Sequence, residues 1–349
     1  MASFSVSETM YCTEPPRPEA IEIESSTNIV VFAGFGIRRH IRMWFRKDRS
    51  GPFIDWTVWL PNRPREETTE VPASDLHPAS GVPVVLFLNY GGDVQLAEGR
   101  RHVPLSSILA RGYAVMTAHY EQIAPDDVER MDDGVLSLWP RTRPDAPRSL
   151  GAWAWGLSRG LDLAERLPEI DAKRAVVTGS SRLGKAALLA GARDERFAVV
   201  VPNQTGKGGV PLTRHPLGET IAREKDSFPH WFKDSYLAYA GRDREIPYDQ
   251  HLLLACVAPR RLLVTGFDSS WFDTEAEYMA CRAASPVWKL LGLPGLPDRP
   301  FPPDYDTSCV SSHVGYVRRT EQHGLSPYDW QWILGFAKRA FRAAEADRE

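Results

Sequence analysis

Two hydrophobic rhythms divide the chain. In the first, Ile54, Trp56, Val58 and Leu60 alternate with Asp55, Thr57 and Trp59, the period-2 pattern of a half-buried strand, and Ile41 to Phe45 is expected to pair beside it. Beyond a polar stretch rich in Pro and Glu, residues 62–80, the pattern changes. Val82 to Leu88, Ala114 to Ala118, Ala175 to Thr178, Val199 to Val201 and Leu262 to Thr265 are short continuous apolar runs, as expected of strands covered on both faces. Between them Trp153, Leu157, Leu161, Ala164 and Leu167 fall three or four apart, and Lys185 to Ala192 is rich in Ala and Leu; both are helical patterns. Alternating buried strands and helices predict an α/β fold, a three-layer sandwich with a mostly parallel, doubly wound sheet that begins with an antiparallel portion.

Residues 1–28 carry Pro15, Pro16 and Pro18 among Glu and Ser and read as an arm over the surface. Residues 29–349 read as a single catalytic domain with two insertions. One, at about 205–258, is aromatic and charged; the other, at about 282–320, is irregular and Pro-rich. Both are expected over the C-terminal edge of the sheet, where loops carry function.

Composition narrows the partners. A formal net charge of −3 leaves no basic stripe for nucleic acid and no polybasic membrane patch, so a small or neutral partner is expected. The cysteines Cys12, Cys256, Cys281 and Cys309 form no CxxC pair, and nothing suggests a zinc site or a disulfide framework. No metal or organic cofactor is required by the residues. No apolar run reaches the roughly 18 to 20 residues needed to span a bilayer. The first residues lack the basic and apolar regions of a secretory signal. Cytoplasmic location is therefore expected, although a secreted protein trimmed of its signal would read the same. Oligomeric state is left open.

The chemistry concentrates at Ala175-Val-Val-Thr-Gly-Ser-Ser-Arg-Leu-Gly-Lys, a buried strand turning sharply into a helix with Ser181 at the turn. Gly179 and Gly184 supply the small neighbours that a strained nucleophile elbow needs. Ser181 would then stand at a helix N-terminus, where backbone N–H groups, including that of Arg182, can receive an oxyanion. The spacing is Gly-x-Ser-x-x-Gly rather than Gly-x-Ser-x-Gly, and a serine helix cap would give the same local pattern.

The segment Gly179 to Lys185 resembles the Gly-x-Ser-Arg-x-Gly-Lys signature of the glucuronoyl esterases, α/β-hydrolases that cleave esters between lignin alcohols and glucuronic acid. Arg38 to Pro61, Val82 to Gly92, Val201-Pro-Asn-Gln-Thr-Gly, Asp249-Gln-His, Ala258-Pro-Arg and His323-Gly-Leu-Ser-Pro-Tyr-Asp-Trp are similar to bacterial members. Acyl transfer needs a base, and the fold orders serine, acid, histidine along the chain. Of nine histidines, His323 and His313 follow the last predicted strand, and His323 matches the family's base; His313 stays open as an alternative. His215, His230 and His251 are expected in structural or substrate-loop roles.

The acid departs from the family. Many relatives carry a Glu where this chain has Gln204, which supplies no charge. Asp268, after the strand end at Gly266, is expected to complete the triad, with Asp273 as the alternative acid or as the cap of a helix starting at Thr274. The resemblance also implies that Arg182 assists the oxyanion and that Lys185, Glu219 and Trp271 bind the sugar, with Gln204 placed on the substrate side as well. An indole covers the apolar face of a pyranose, while charged groups bond its hydroxyls. Lys207 between glycines is a further departure, a cation that either binds an anionic substrate or points outward. The expected function is a serine esterase acting on a uronate ester through an acyl-serine. An intracellular esterase, acyltransferase or cyclase on the same scaffold, and a catalytically silent carbohydrate-binding homologue, are the alternatives.

Overall fold

The computed structural model describes residues 10–11, 18–62, 81–91, 103–139, 146–267, 269, 271–306, 309–320 and 323–346. Its frame is a sheet of ten strands among these residues. They are β1 (Glu22–Ser25), β2 (Ile29–Val31), β3 (Gly36–Trp44), β4 (Phe53–Pro61), β5 (Val82–Asn89), β6 (Ala114–His119), β7 (Ile170–Ser180), β8 (Phe197–Asn203), β9 (Arg261–Phe267) and β10 (Val314–Arg319). The spatial order is β1-β3-β4-β6-β5-β7-β8-β9-β10, with β2 also on β3. The strands from β1 to β4 pair antiparallel, and β5 to β10 pair parallel with one another. The antiparallel portion followed by parallel strands is as expected, but β4 is not the half-buried strand that its alternation predicts: Trp56 to Leu60 are all buried, with Val58 in one core and Trp59 in the other.

Side chains on β5 show why the central runs are continuously apolar. Val84, Leu86 and Leu88 enter one core, while Val85 and Phe87 enter the other. On the first side lie Trp153, Leu157 and Leu161 of α3 (Ser149–Ala164), Ala186 and Leu189 of α4 (Arg182–Arg193) and Tyr278 of α8 (Thr274–Leu290). On the second lie Leu105 and Ile108 of α1 (Leu105–Ala110) and Trp330, Ile333 and Phe336 of α9 (Pro327–Ala346). Short helices α2 (Tyr120–Ile123), α5 (Ile221–Ser227), α6 (Asp234–Leu237) and α7 (His251–Ala255) occupy the connections. No helix among the described residues is long and apolar enough to cross a membrane.

Two further sequence expectations need correction. The stretch 282–320 is not irregular throughout: α8 runs to Leu290 through Pro286, and β10 adds an edge strand paired with β9. Gly315 interrupts the apolar run of β10, and the surrounding prolines mask its pattern. The arm at 1–28 is not confined to the surface either. Glu22–Ser25 joins the sheet against β3. Met10 and Tyr11 are fully buried, with Lys233 N donating to Met10 O at 2.9 Å and the Tyr11 hydroxyl donating to Gly208 O. The Tyr11 ring packs 5.8 Å from Phe232.

Truncating such a ring leaves a cavity and an unpaired carbonyl. Tyr11→Ala is expected to cost about 3–5 kcal/mol in urea unfolding, as for other large-to-small aromatic substitutions in cores. A loss below about 1 kcal/mol would show that this segment is only draped on the fold.

Candidate active site

Register across the sheet builds the site. Ser180 of β7 pairs with Asn203 of β8, and Asn203 pairs with Thr265 of β9, so the residues that follow these strands emerge side by side at the C-terminal edge. Ser181 turns the chain with φ 59° and ψ −131°, a conformation disfavoured for a residue with a Cβ. The turn is held by Ser181 N donating to Asn203 O at 3.0 Å, and by Gly184 N and Lys185 N donating back to Ser181 O at 2.9 and 3.0 Å. A Cβ at Gly179 would lie 2.3 Å from Leu183 O, and one at Gly184 would lie 2.7 Å from Asn203 O. Both glycines are therefore required by close approach. Arg182 N sits at the first position of α4, where helix geometry provides no intrahelical acceptor.

Ser181, Arg182 and His323 line one cavity of about 400 Å³, with Asn89, Tyr90 and Leu325 among the other walls. The Tyr90 hydroxyl donates to Ser180 O at 2.7 Å. His323 stacks on Phe272 with centroids 4.6 Å apart. Its Nδ1 lies 2.8 Å from Gln204 Oε1. The loop after it is pinned by a fully buried ion pair, Arg319 to Asp329 at 2.7 Å, whose Arg319 Nη2 also donates to Gly324 O. Asp329 accepts from Ser326 N at 2.7 Å and its own N–H donates to Ser326 Oγ at 3.3 Å, a capping box that starts α9. His313, the alternative base, precedes β10. That strand is parallel to β9, so His313 stands at the opposite edge of the sheet from Ser181.

Asp268 lies outside the described residues. Asp273 is committed elsewhere: its Oδ2 meets His215 Nδ1 at 2.7 Å, and its Oδ1 accepts from Ala276 N at 3.2 Å as the cap of α8. Gln204, expected on the substrate side, is instead 0% exposed and spends its amide on His323 and Gly324. Lys207 neither lines the cavity nor points outward. It is buried and donates to His215 O at 2.5 Å, and burial pushes its pKa down.

Arg182 is fixed by a residue that the sequence did not single out. Its Nη1 donates to Asp126 Oδ2, and Asp126 Oδ1 also accepts from Trp231 Nε1 at 2.6 Å and faces His230 Nε2 at 2.8 Å. Burial and then the Arg182 charge push the His230 pKa down to about 4, so the ring is neutral above that pH. Nε2 carries its hydrogen toward the carboxylate. The guanidinium lies 4.7 Å from the Trp231 ring centroid. Lys185, only 2% exposed, sits 3.5 Å from Glu219 Oε2 and 3.2 Å from Glu224 Oε1. Tyr236 OH donates to Glu224 Oε2 at 2.7 Å. Burial is the main cause raising the Glu224 pKa to about 7, against the pull of Lys185. Glu219 N donates to Trp271 O at 3.2 Å, which ties this charged group to an indole that is 37% exposed and carries Arg223 at 4.9 Å. No group of three or more His, Cys, Asp or Glu among the described residues could hold a metal ion.

Similarity to known proteins identifies the family. A family model described as glucuronyl esterase, fungi, matches residues 70–292. A glucuronoyl esterase from Solibacter usitatus is 31% identical and superposes with a TM-score of 0.85 over 96% of this chain and 90% of its own. A carbohydrate esterase from an unknown prokaryotic organism is 29% identical over 327 residues, 87% of this chain and 75% of that one. A 4-O-methyl-glucuronoyl methylesterase of Phanerochaete chrysosporium is 36% identical over 155 residues, 42% of this chain and 33% of that one, so the chain spans about a third of that fungal relative. An α/β-hydrolase sheet, a strained serine turn facing a histidine across one cavity, and a family match over residues 70–292 together place the chain in the glucuronoyl esterase family.

Proposed function

We propose that the chain is a serine esterase that hydrolyses esters of a glucuronic acid. The observation that carries this reading is the shared cavity, in which Ser181 on its strained turn and His323 on its pinned loop face the same space. Ser181 Oγ attacks the ester carbonyl while His323 Nε2 takes its proton. The tetrahedral oxyanion is received by Arg182 and the N-terminal N–H groups of α4. Collapse returns the proton to the departing alcohol and leaves an acyl-serine. Water, deprotonated by the same imidazole, then attacks the acyl carbon; the acyl–Oγ bond breaks, the imidazolium returns the proton to Ser181 Oγ, and the acid is released. Asp268, just past β9, is proposed to supply the negative charge of the triad.

The uronate preference rests on the sugar side. Trp271 offers an exposed indole to a pyranose face, and Glu219, bonded through its N–H to Trp271 O, links it to the buried Lys185, although none of the three lines the cavity of Ser181 and His323. The names of the relatives support the same substrate class, since two of the three are glucuronoyl esterases. Lys185 acts within a buried charge cluster, so removing it would leave Glu219 and Glu224 unpaired. Trp271 is the cleaner probe.

Ser181→Ala is expected to lower kcat on a benzyl or methyl glucuronate ester by at least about 10⁴-fold and to abolish labelling by a fluorophosphonate. Retention of either activity or labelling would remove Ser181 as nucleophile. Trp271→Ala should raise KM for the glucuronate ester about tenfold, worth about 1.4 kcal/mol, and leave turnover of a small acetyl ester within about twofold. Equal effects on both esters would reject the sugar-stacking role. Asp126→Asn should lower kcat about 10–100-fold with little change in KM, because Arg182 then loses its anchor at the position where charge develops. A change confined to KM would assign Asp126 to substrate binding instead.

A further inference from the structure

We infer that Gln204 is the positioning residue that sets the tautomer and direction of His323, a task usually given to a carboxylate. The inference rests on the reading of His323 as the base. Gln204 side-chain Oε1 accepts from Gly324 N at 2.7 Å, and its Nε2 donates to Gly324 O at 3.3 Å. A backbone N–H only donates and a backbone carbonyl only accepts, so Gly324 reads both ends of the amide and leaves it one orientation. The atom presented to His323 is therefore the oxygen, 2.8 Å from Nδ1. An amide oxygen donates nothing. Nδ1 must then carry the hydrogen, and in the neutral ring Nε2 keeps its lone pair for the proton of Ser181.

The support of this amide is as fixed as the amide itself. Gln204 is 0% exposed, its backbone is held at φ 48°, and its N–H donates to Thr265 O at 2.9 Å. Gly324 is held in turn by Arg319, whose charge is balanced by Asp329. Phe272 and Phe267 cover the ring at 4.6 and 6.2 Å between centroids, and Arg182 shares its cavity. The amide thus orients the imidazole without adding a charge. Whatever charge Asp268 contributes is a separate matter from tautomer choice.

Three measurements test this. In histidine-¹⁵N-labelled wild-type protein at a pH where the ring is neutral, His323, assigned by its loss in His323→Gln, should show the Nδ1–H tautomer; the Nε2–H tautomer would overturn the inference. Gln204→Leu, checked by thermal melting, should lose about 10²–10⁴-fold in kcat with KM for benzyl glucuronate within about threefold, the upper limit being the cost of a wrong tautomer in a serine-protease triad. A kcat within threefold of wild type overturns it. Gln204→Glu keeps an oxygen in place, so activity should return to within about tenfold of wild type. The added carboxylate favours the imidazolium and raises the pKa of His323, and the base must be neutral. The acidic limb of kcat/KM should therefore move up by about one pH unit. A Gln204→Glu enzyme as slow as Gln204→Leu, with no shifted limb, would reduce Gln204 to packing. Fluorophosphonate labelling of Ser181 in each variant keeps the outcomes distinct, because failure of the esterase reading would abolish labelling in the wild type itself.

Discussion

The turn at Ser181 constrains everything around it. A side chain held at positive φ costs about 1–3 kcal/mol, and the conformation persists only because β7, β8 and α4 over-determine it. Gly179 and Gly184 let the helix touch the strand ends. The hydrogen bond from Ser181 N to Asn203 O fixes the end of β8 against the turn. One residue further, that strand delivers Gln204 to His323. The strain at one residue thus dictates where three loops meet.

Three sets of charged groups around the turn are ion-paired, which gives the site its rigidity. Asp126 gathers Arg182, His230 and Trp231; Lys185 lies between Glu219 and Glu224; Arg319 is matched by Asp329. In a medium of low effective dielectric such contacts are strong when complete and costly when one partner is lost. The Arg182 and Lys185 networks meet at Trp231, whose ring centroid lies 4.7 Å from the guanidinium and 5.1 Å from the ammonium, so substitutions in these two should couple more strongly to each other than to Arg319 and Asp329.

What the sequence reveals follows from how local each signal is. The strand, turn and helix around Ser181 are contiguous, and the glycines sit at fixed offsets, so the elbow is readable from one segment. His323 is readable from chain order and its place before α9. Asp126 is not, because Arg182, His230 and Trp231 lie 56, 104 and 105 positions away, its nearer partner Tyr120 belongs to no motif, and no spacing marks them. The identity of Gln204 argues only that it carries no charge. Its orientation depends on a backbone unit 120 positions distant, which periodicity cannot report. Asp273 shows the converse: its capping role is local and readable, while its pairing with His215 is not.

The anchor at Met10 and Tyr11 bears on the order of assembly. Tyr11 closes onto Gly208, 197 positions later, and Met10 onto Lys233 and Gln250. During synthesis this segment precedes its partners Gly208, Lys233 and Gln250, so it finds its seat only after they have followed. Contacts of such sequence separation carry a large loop-closure cost and tend to form late. The Met10–Tyr11 segment therefore acts as a late latch on the aromatic insertion, and its docking reports that the insertion is already folded.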